Sequence, residues 1–334
     1  MPTLAQVHAS NALLATTSPS LTAIFIGGTS GIGEATAKAL AKRIPKPTIY
    51  IVGRNETAGS RILQELRAIQ PDGEYTFISA DLTLLKNVDA VATDLKATLK
   101  NKPVDILFLS TGGLSMTRND TTEHLESNHV LRYYARSLLT ISLLPNLSLS
   151  RSPRVINILA AGKEIPYPKL DMTNLDLHRP NSFSLTTAGY YATTMLSLSQ
   201  EYLSTKNPGV SFAHVFPGFV ATPVFTRGFG NILGGAIDAL VRLFGVGIEE
   251  CGERCLFVAT SGAYPPLKSK QGVDTATCTA STGVVGGGCY VLGYDGRDVS
   301  DKGLFGGYRE RGVPERVWGH TIGVFERVLG RGFE

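Results

Sequence analysis

Three glycines, Gly27, Gly31 and Gly33, follow an apolar run and give the clearest indication of chemistry in this sequence. A strand-to-helix turn of this kind lets the phosphates of a ligand approach bare backbone, and the N–H groups that open the next helix attract anions. Helical periodicity follows, and a second apolar strand over residues 48–53 completes a βαβ unit of about 30 residues. The turn therefore predicts a dinucleotide site, with a purely structural turn as the alternative. The predicted contacts are Gly27, Ser30, Gly31, Ile32 and Gly33.

An arginine, Arg54, follows the second predicted strand, where an enzyme that binds NAD usually carries an acid for the ribose 2′-hydroxyl. Its neighbour Asn55 is not acidic either. An arginine here can pair through two hydrogen bonds with a 2′-phosphate, which a carboxylate would repel. Arg54 therefore predicts NADP(H) as the cofactor, although an ordinary surface arginine would look the same.

The spacing Gly27-x-x-x-Gly31-x-Gly33 resembles the turn of the short-chain dehydrogenase/reductase family, and later motifs follow in that family's order. The resemblance implies that Asp81, after the third strand, bonds the adenine, although an aspartate that caps the next helix would look the same. It also implies that the cofactor borders the segment after the fourth strand and the Pro-Gly turn after the sixth. The contacts implied in this way are Asp81, Leu82, Gly112, Pro217, Gly218, Val220 and Thr222.

One hydrogen bond of the family has changed at both ends in this chain. Ser110 stands where the family has an Asn, and Ile26 stands where the family has the Thr that this Asn bonds. Because both partners differ, no buried polar group need be left unsatisfied.

The family's Asn-Ser-Tyr-Lys set of catalytic residues reads here as Asn128, Ala160, Tyr191 and Met195. The resemblance implies that the backbone carbonyl of Asn128 holds a water in a proton relay, with a surface helix asparagine as the alternative. It implies that Tyr191 exchanges a proton with the substrate. Ala160 cannot donate a hydrogen bond as the serine does, and Met195 has no charge as the lysine does. Two of the four members are therefore absent.

The loss of the lysine favours one direction of reaction. Tyr191 with an ordinary pKa near 10 is protonated at neutral pH, as carbonyl reduction requires. Alcohol oxidation needs the phenolate, and Met195 supplies no charge to stabilise it. The other register, which pairs Tyr190 with Thr194, supplies no cation. Lys163, three residues after Ala160, could supply a replacement charge, but an exposed loop lysine is the simpler interpretation.

The implied fold is α/β, a doubly wound, mostly parallel sheet of about seven strands with helices on both faces, Rossmann-like. A chain of 334 residues with 43% apolar residues fits one domain over residues 1–334, with a core at about 21–294 and a C-terminal extension at 295–334. Periodicity predicts a long helix over residues 122–147. The loop at 163–187 and an apolar helix at 231–244 are expected to wall an apolar substrate pocket.

Composition excludes several other classes of function. The net charge of +4 comes without runs of Lys or Arg, so nothing indicates a nucleic-acid ligand. The first 20 residues lack a signal pattern and no long apolar run predicts a membrane span, so we expect a cytoplasmic protein. The four cysteines match neither a zinc pattern nor a disulfide framework, and no metal site is predicted. A homo-oligomer is left open.

Three functions are compatible with these residues. The favoured one is an NADPH-dependent reductase that acts on a carbonyl of an apolar small molecule in secondary metabolism. The second is a non-redox enzyme on the same scaffold, an isomerase, dehydratase or cyclase that uses Tyr191 as an acid. The third is a catalytically silent protein that binds NADPH and reports redox state to a partner.

Overall fold

Short apolar segments, each followed by a helix, form a parallel sheet at the centre of the computed structural model, which describes residues 2–269 and 277–333. Seven strands lie in the order β3-β2-β1-β4-β5-β6-β7, and every neighbouring pair is parallel. The strands are β1 Ser20–Ile26, β2 Lys46–Gly53, β3 Glu74–Ser79, β4 Ile106–Leu109, β5 Arg154–Ile158, β6 Ser211–Val215 and β7 Cys289–Leu292. This is the doubly wound Rossmann-like fold that the sequence predicts.

Helices cover both faces of the sheet, as a parallel sheet with fully buried central strands requires. Helices α3, α4 and α10 pack on one face, and α5, α7, α8 and α12 pack on the other. The helices are α1 Leu4–Ala12, α2 Leu14–Thr17, α3 Gly31–Arg43, α4 Glu56–Ile69, α5 Leu85–Leu99, α6 Ser127–His129, α7 Ala135–Ser148, α8 Leu185–Lys206, α9 Val224–Phe244, α10 Ile248–Thr260, α11 Lys302–Glu310 and α12 Val313–Leu329. None of them is long and apolar enough to cross a membrane in the ranges that the structure describes.

The helix expected from residue 122 begins only at Ser127, which corrects the prediction. The carboxylate of Glu126 accepts hydrogen bonds from the backbone N–H groups of Asn128 and His129 and so fixes the helix start. Between α6 and α7 the backbone makes a π-helical turn, Val130–Tyr134. Such a turn shifts the side chains after it around the helix, which no apolar period reveals.

The C-terminal extension packs on the face formed by α7 and α8. Phe305 of α11 and Phe325 of α12 are fully buried there. The hydroxyl of Tyr133 hydrogen-bonds that of Thr321, and the hydroxyl of Tyr134 lies 2.8 Å from Nε2 of His320. The amphipathic pattern of residues 314–329 predicts α12, whereas no pattern predicts α11, whose three glycines weaken its helix propensity. Residues 270–276, within a stretch for which no element is predicted, lie outside the described residues.

Two glycines allow a matched test of packing. A Cβ at Gly33 would lie 2.6 Å from the carbonyl oxygen of Gly27 and from Oγ of Ser110, whereas a Cβ at Gly319 of α12 would meet nothing within 4 Å. Gly33→Ala should therefore lower the free energy of unfolding by about 1–3 kcal/mol through overpacking. Gly319→Ala should raise it by about 0.5–1 kcal/mol through helix propensity. Urea denaturation of both variants measures the difference, and equal effects would contradict the packing.

Candidate active site

A cavity of about 640 Å³ opens at the carboxyl edge of the sheet, where the strand order reverses between β1 and β4. Segments that follow β1 to β6 line it, together with parts of α7 and α8. Ligands of open α/β sheets bind at this switch point, because the connections leave in opposite directions there and open a crevice. All but one of the predicted cofactor contacts line this cavity: Gly27, Ser30, Gly31, Ile32, Arg54, Asp81, Leu82, Gly112, Pro217, Gly218, Val220 and Thr222.

The exception is Gly33, which lies behind the glycine turn. The turn needs glycine because φ is +89° at Gly27 and +62° at Gly31. Gly33 instead lets α3 approach the carbonyl oxygen of Gly27 and Oγ of Ser110. That hydroxyl lies 3.3 Å from the carbonyl oxygens of Ile26 and Gly27 and donates to them, so the changed pair leaves no unsatisfied hydroxyl.

Arg54 lies at the outer end of the cavity with an exposed side chain. Within the part of the chain that the structure describes, Arg54 has no ion-pair partner, while the nearby Arg61 is tied to Glu34 and Glu65. Asn55 also lines the cavity, but its side chain accepts a hydrogen bond from the N–H of Ala58 and caps α4. Among the described residues, Arg54 is therefore the positively charged side chain available to a ligand at this end.

Asp81 stabilises the turn before the next helix, the alternative that the sequence left open, and it also lines the cavity. Its Oδ1 accepts a hydrogen bond from the N–H of Thr83 at 3.1 Å, which stabilises the turn before α5. A carboxylate has further lone pairs, so this bond leaves Asp81 able to accept another from a ligand.

Helix α8 turns a different face to the cavity from the one expected. Its cavity-lining residues are Leu185, Gly189 and Thr193, each four residues from the next. Tyr191 lies about 200° around the helix from Gly189 and is not among the lining residues. Gly189 and Thr193 therefore have the Tyr-x-x-x-Lys spacing on the cavity wall, which is neither register proposed from the sequence.

The hydroxyl of Tyr191 is used by the protein itself. It accepts a hydrogen bond from the N–H of Asp171 at 2.9 Å and donates one to the carbonyl oxygen of Lys169 at 3.1 Å. Met195 on the same face is fully buried in the core. The structure thus does not bring the predicted proton donor to the cavity, because its helix face packs under the loop that precedes α8.

Asn128 also lies beside the cavity rather than in its wall. Its side-chain oxygen lies close to Gly113, and its amide nitrogen is 3.5 Å from Oε1 of Glu126. The π-helical turn begins two residues later, and such turns are frequent at functional sites. The role of its backbone carbonyl stays a prediction. Ala160, the other changed catalytic position, does line the cavity.

The expected substrate walls need correction. Of the loop at 163–187, Leu185 is the one residue that lines the cavity, and among the described side chains of α9 only that of Val224 does so. Gly230 has φ +77° and breaks α9, and beyond this break Ile232 is 92% exposed and Phe244 82% exposed. The apolar face of α9 therefore points to solvent. The apolar cover near α9 is formed by Leu114, Phe219, Val220, Pro223 and Val224.

Two arginines in the cavity wall were missed by the sequence analysis. Arg132 and Arg136 are four residues apart on the continuous helix of the π-helical turn and α7, and they are 6% and 1% exposed. Burial lowers the pKa of Arg136 to about 9, and the charge of Arg132 adds to the effect. Two arginines at helical spacing in an otherwise apolar helix were the available signal, since buried arginines are rare without partners.

Behind the cavity, Ser197 of α8 joins two buried titratable groups. Its hydroxyl lies 2.7 Å from Oε1 of Glu164 and 2.7 Å from Nδ1 of His214. Burial raises the pKa of Glu164, and its bond from Ser197 opposes this only partly. Burial, reinforced by the charge of Arg136, lowers the pKa of His214 to about 3. His214 is therefore neutral at pH 7.

Comparison with known proteins gives the same family for most of the chain. The family model for short chain dehydrogenases matches residues 21–171. The chain is 42% identical to the oxidoreductase andH of Emericella variicolor over 99% of this chain and 98% of that protein. It is 30% identical to the short-chain dehydrogenase/reductase SAT2 of Stachybotrys chartarum over 98% of each. The chain belongs to the short-chain dehydrogenase/reductase family. Because the members of this family are oxidoreductases, the chain is classed as an oxidoreductase.

Comparison with solved structures shows the same type of fold. L-sorbose reductase from Gluconobacter frateurii, solved with NADPH and L-sorbose, is 18% identical with a TM-score of 0.54 over 72% of this chain and 90% of that chain. Among the residues that the structure describes, no cluster of His, Cys, Asp and Glu could hold a metal ion. The described cysteines are unpaired, and Cys251, Cys255 and Cys289 are buried.

The buried histidine predicts a pH dependence of stability. His214 stays neutral in the folded state down to about pH 3, whereas an unfolded histidine binds a proton below about pH 6.5. The unfolded state therefore binds more protons as pH falls through 6.5, and stability falls with it. Between pH 7.5 and 5 this histidine should cost about 2 kcal/mol of unfolding free energy.

Urea denaturation at both pH values of the parent and of His214→Gln tests this, because the variant should lose less stability than the parent on acidification. His8→Gln makes the same exchange at an exposed position and serves as the control. If His8→Gln reduces the pH dependence as much as His214→Gln does, the effect does not come from the buried ring.

Proposed function

We propose that the protein is an NADPH-dependent reductase that acts on a carbonyl of an apolar small molecule in secondary metabolism. The observation that carries this proposal is Arg54, a cation without an ion-pair partner in the described ranges, at the outer end of a cavity built around the glycine turn. A guanidinium suits a phosphate and would gain little from an unmodified ribose. The L-sorbose reductase of the same fold, solved with NADPH, is consistent with this choice.

The residues of the cavity divide the work of holding NADPH. The glycine turn and the start of α3 would face the two central phosphates, Asp81 the adenine, and the segment from Pro217 to Thr222 the nicotinamide end. When bound, NADPH supplies the hydride. Apolar walls near Ile158 and Leu185 exclude water from the place where the carbonyl would lie.

Thr193 is the side chain placed to hydrogen-bond the carbonyl oxygen. Its Oγ1 is buried and has no hydrogen-bond partner within the described part of the chain, although Thr193 lines the cavity. A buried hydroxyl without a partner is costly, and a substrate oxygen would satisfy it once the fully buried side chain of Thr193 turns toward the cavity. Tyr191 could replace it only after breaking both of its bonds to the loop.

Two other candidates, a non-redox enzyme and a silent NADPH-binding protein, are favoured by the side chains that are missing from the cavity wall. Ala160 offers no hydrogen bond, and the cavity face of α8 carries Gly189 and Thr193 instead of tyrosine and lysine. Incubation with NADPH and a panel of apolar ketones, followed by NADPH loss and product mass, separates the candidates. Product without NADPH loss would support the non-redox enzyme, and NADPH binding without any product would support the silent protein.

The cofactor preference is tested at Arg54. NADPH should bind more tightly than NADH by about 1.5–3 kcal/mol, the strength of charge-assisted hydrogen bonds to the 2′-phosphate. Calorimetry with both cofactors measures this difference, which Arg54→Ala should remove. Arg67→Ala, on the exposed side of α4 and outside the cavity, should keep it. Equal affinities in the parent protein would refute the NADPH preference.

The donor to the carbonyl is tested at Thr193. Thr193→Val keeps the shape of the side chain and removes the hydroxyl, so kcat/KM for ketone reduction should fall about tenfold or more while NADPH affinity is kept. Tyr191→Phe removes two loop hydrogen bonds and should mainly lower the melting temperature. Loss of turnover in Tyr191→Phe with full activity in Thr193→Val would restore the tyrosine to the role that the sequence pattern implies.

A further inference from the structure

The cavity wall that includes the segment after β4 carries positive charge that no carboxylate neutralises through an ion pair in the part of the chain that the structure describes. Neither Arg132 nor Arg136 forms an ion pair among the described residues. Glu126 is the acid that raises the pKa of Arg132, but burial outweighs it and the pKa is lowered. Glu126 is itself occupied by the N–H groups at the start of α6.

The two guanidinium groups are bonded only to neutral oxygens in the ranges described. Arg132 donates to the carbonyl oxygen of Gly113. Arg136 donates to the carbonyl oxygens of Thr111 and Leu131 and, at 3.4 Å, to Oδ1 of Asn157. A guanidinium has five N–H donors, so the one bond of Arg132 leaves most of its donors for a ligand. Desolvated charges of one sign are costly unless a counter-charge is bound.

These arginines lie at the substrate end of the cavity. Arg132 holds Gly113, and the next residue, Leu114, is in contact range of Gly228 in the first part of α9. Arg54, which we assign to the 2′-phosphate, follows β2 at the other end of the cavity. Leu114 and Leu131 contribute apolar side chains to the same wall.

We propose that Arg132, backed by Arg136, binds a carboxylate on the substrate, so that the ligand is an apolar carbonyl compound with one carboxylate group. The planar fork of Arg132 matches a carboxylate through two parallel hydrogen bonds, which an amide or an alcohol cannot make. Arg136 supplies a second positive charge behind it and holds Thr111 in place. This proposal rests on the reductase proposed above for the carbonyl group of the substrate. The carboxylate group is inferred from Arg132 and Arg136 alone.

The test compares acids with their amides. Acetate, butanoate, octanoate and benzoate are titrated against the corresponding amides by calorimetry, with and without saturating NADPH. At least one acid should bind ten times more tightly than its amide. Arg132→Met should abolish that preference, Arg132→Lys should keep part of it, and Arg331→Met, an exposed arginine paired with Asp89, should leave it unchanged. An amide that binds as well as its acid throughout the panel overturns the proposal.

The phosphates of NADPH are the other source of negative charge, and a second arm separates them. If Arg132→Met weakens NADPH binding tenfold while the acid preference persists, the arginines serve the cofactor and the proposal is wrong. If NADPH fails to bind the parent protein, the proposed reductase fails, but acid preference in the titration without NADPH still decides the anion site. If Arg132→Met does not fold, the comparison of acids with amides in the parent protein decides alone.

Discussion

The close approach of the turn after β1 to the end of β4 is the constraint on which this structure depends. Gly33 brings α3 against the backbone of Gly27, and Ser110 fills the remaining space with a hydroxyl that bonds the same turn. This contact fixes the first helix relative to two strands at the point where the sheet reverses. The crevice lies where these elements meet, and the predicted cofactor contacts lie around it.

The substrate side of the cavity departs from the family pattern, whereas the glycine turn follows it. Ala160, Gly189 and Thr193 line the cavity on this side, while Tyr191 bonds a loop and Met195 is buried in the core. Positive charge is still present, but it comes from the opposite helix through Arg132 and Arg136. A scaffold whose cofactor crevice is set by backbone packing can exchange side chains on the substrate side with little effect on the fold.

Sequence reasoning predicts the sheet, most helices and the cofactor crevice, because alternating apolar strands and glycine turns leave local signals. The sequence pattern predicts helices at 56–69 and 248–260 and a strand at 289–292, and these are the bounds of α4, α10 and β7. The residues that α8 presents to the cavity could not be predicted from the sequence, for a physical reason. Which face of α8 meets the cavity is decided by packing against the loop and α12, and a tyrosine near the expected position carries no information about that rotation. The cavity arginines depend likewise on the π-helical turn before α7.

The hydroxyl pair of Tyr133 and Thr321 joins residues 188 apart in the chain. During synthesis, the layer that backs the cavity therefore lacks its outer helix until the segment around Thr321 has left the ribosome, although Ser199 offers the Tyr133 hydroxyl an earlier partner. The cofactor half, built from earlier residues, can form first. A nascent chain thus holds a half-formed crevice with an exposed tyrosine-rich flank for most of its translation. Chaperone demand should concentrate on that flank rather than on the glycine turn.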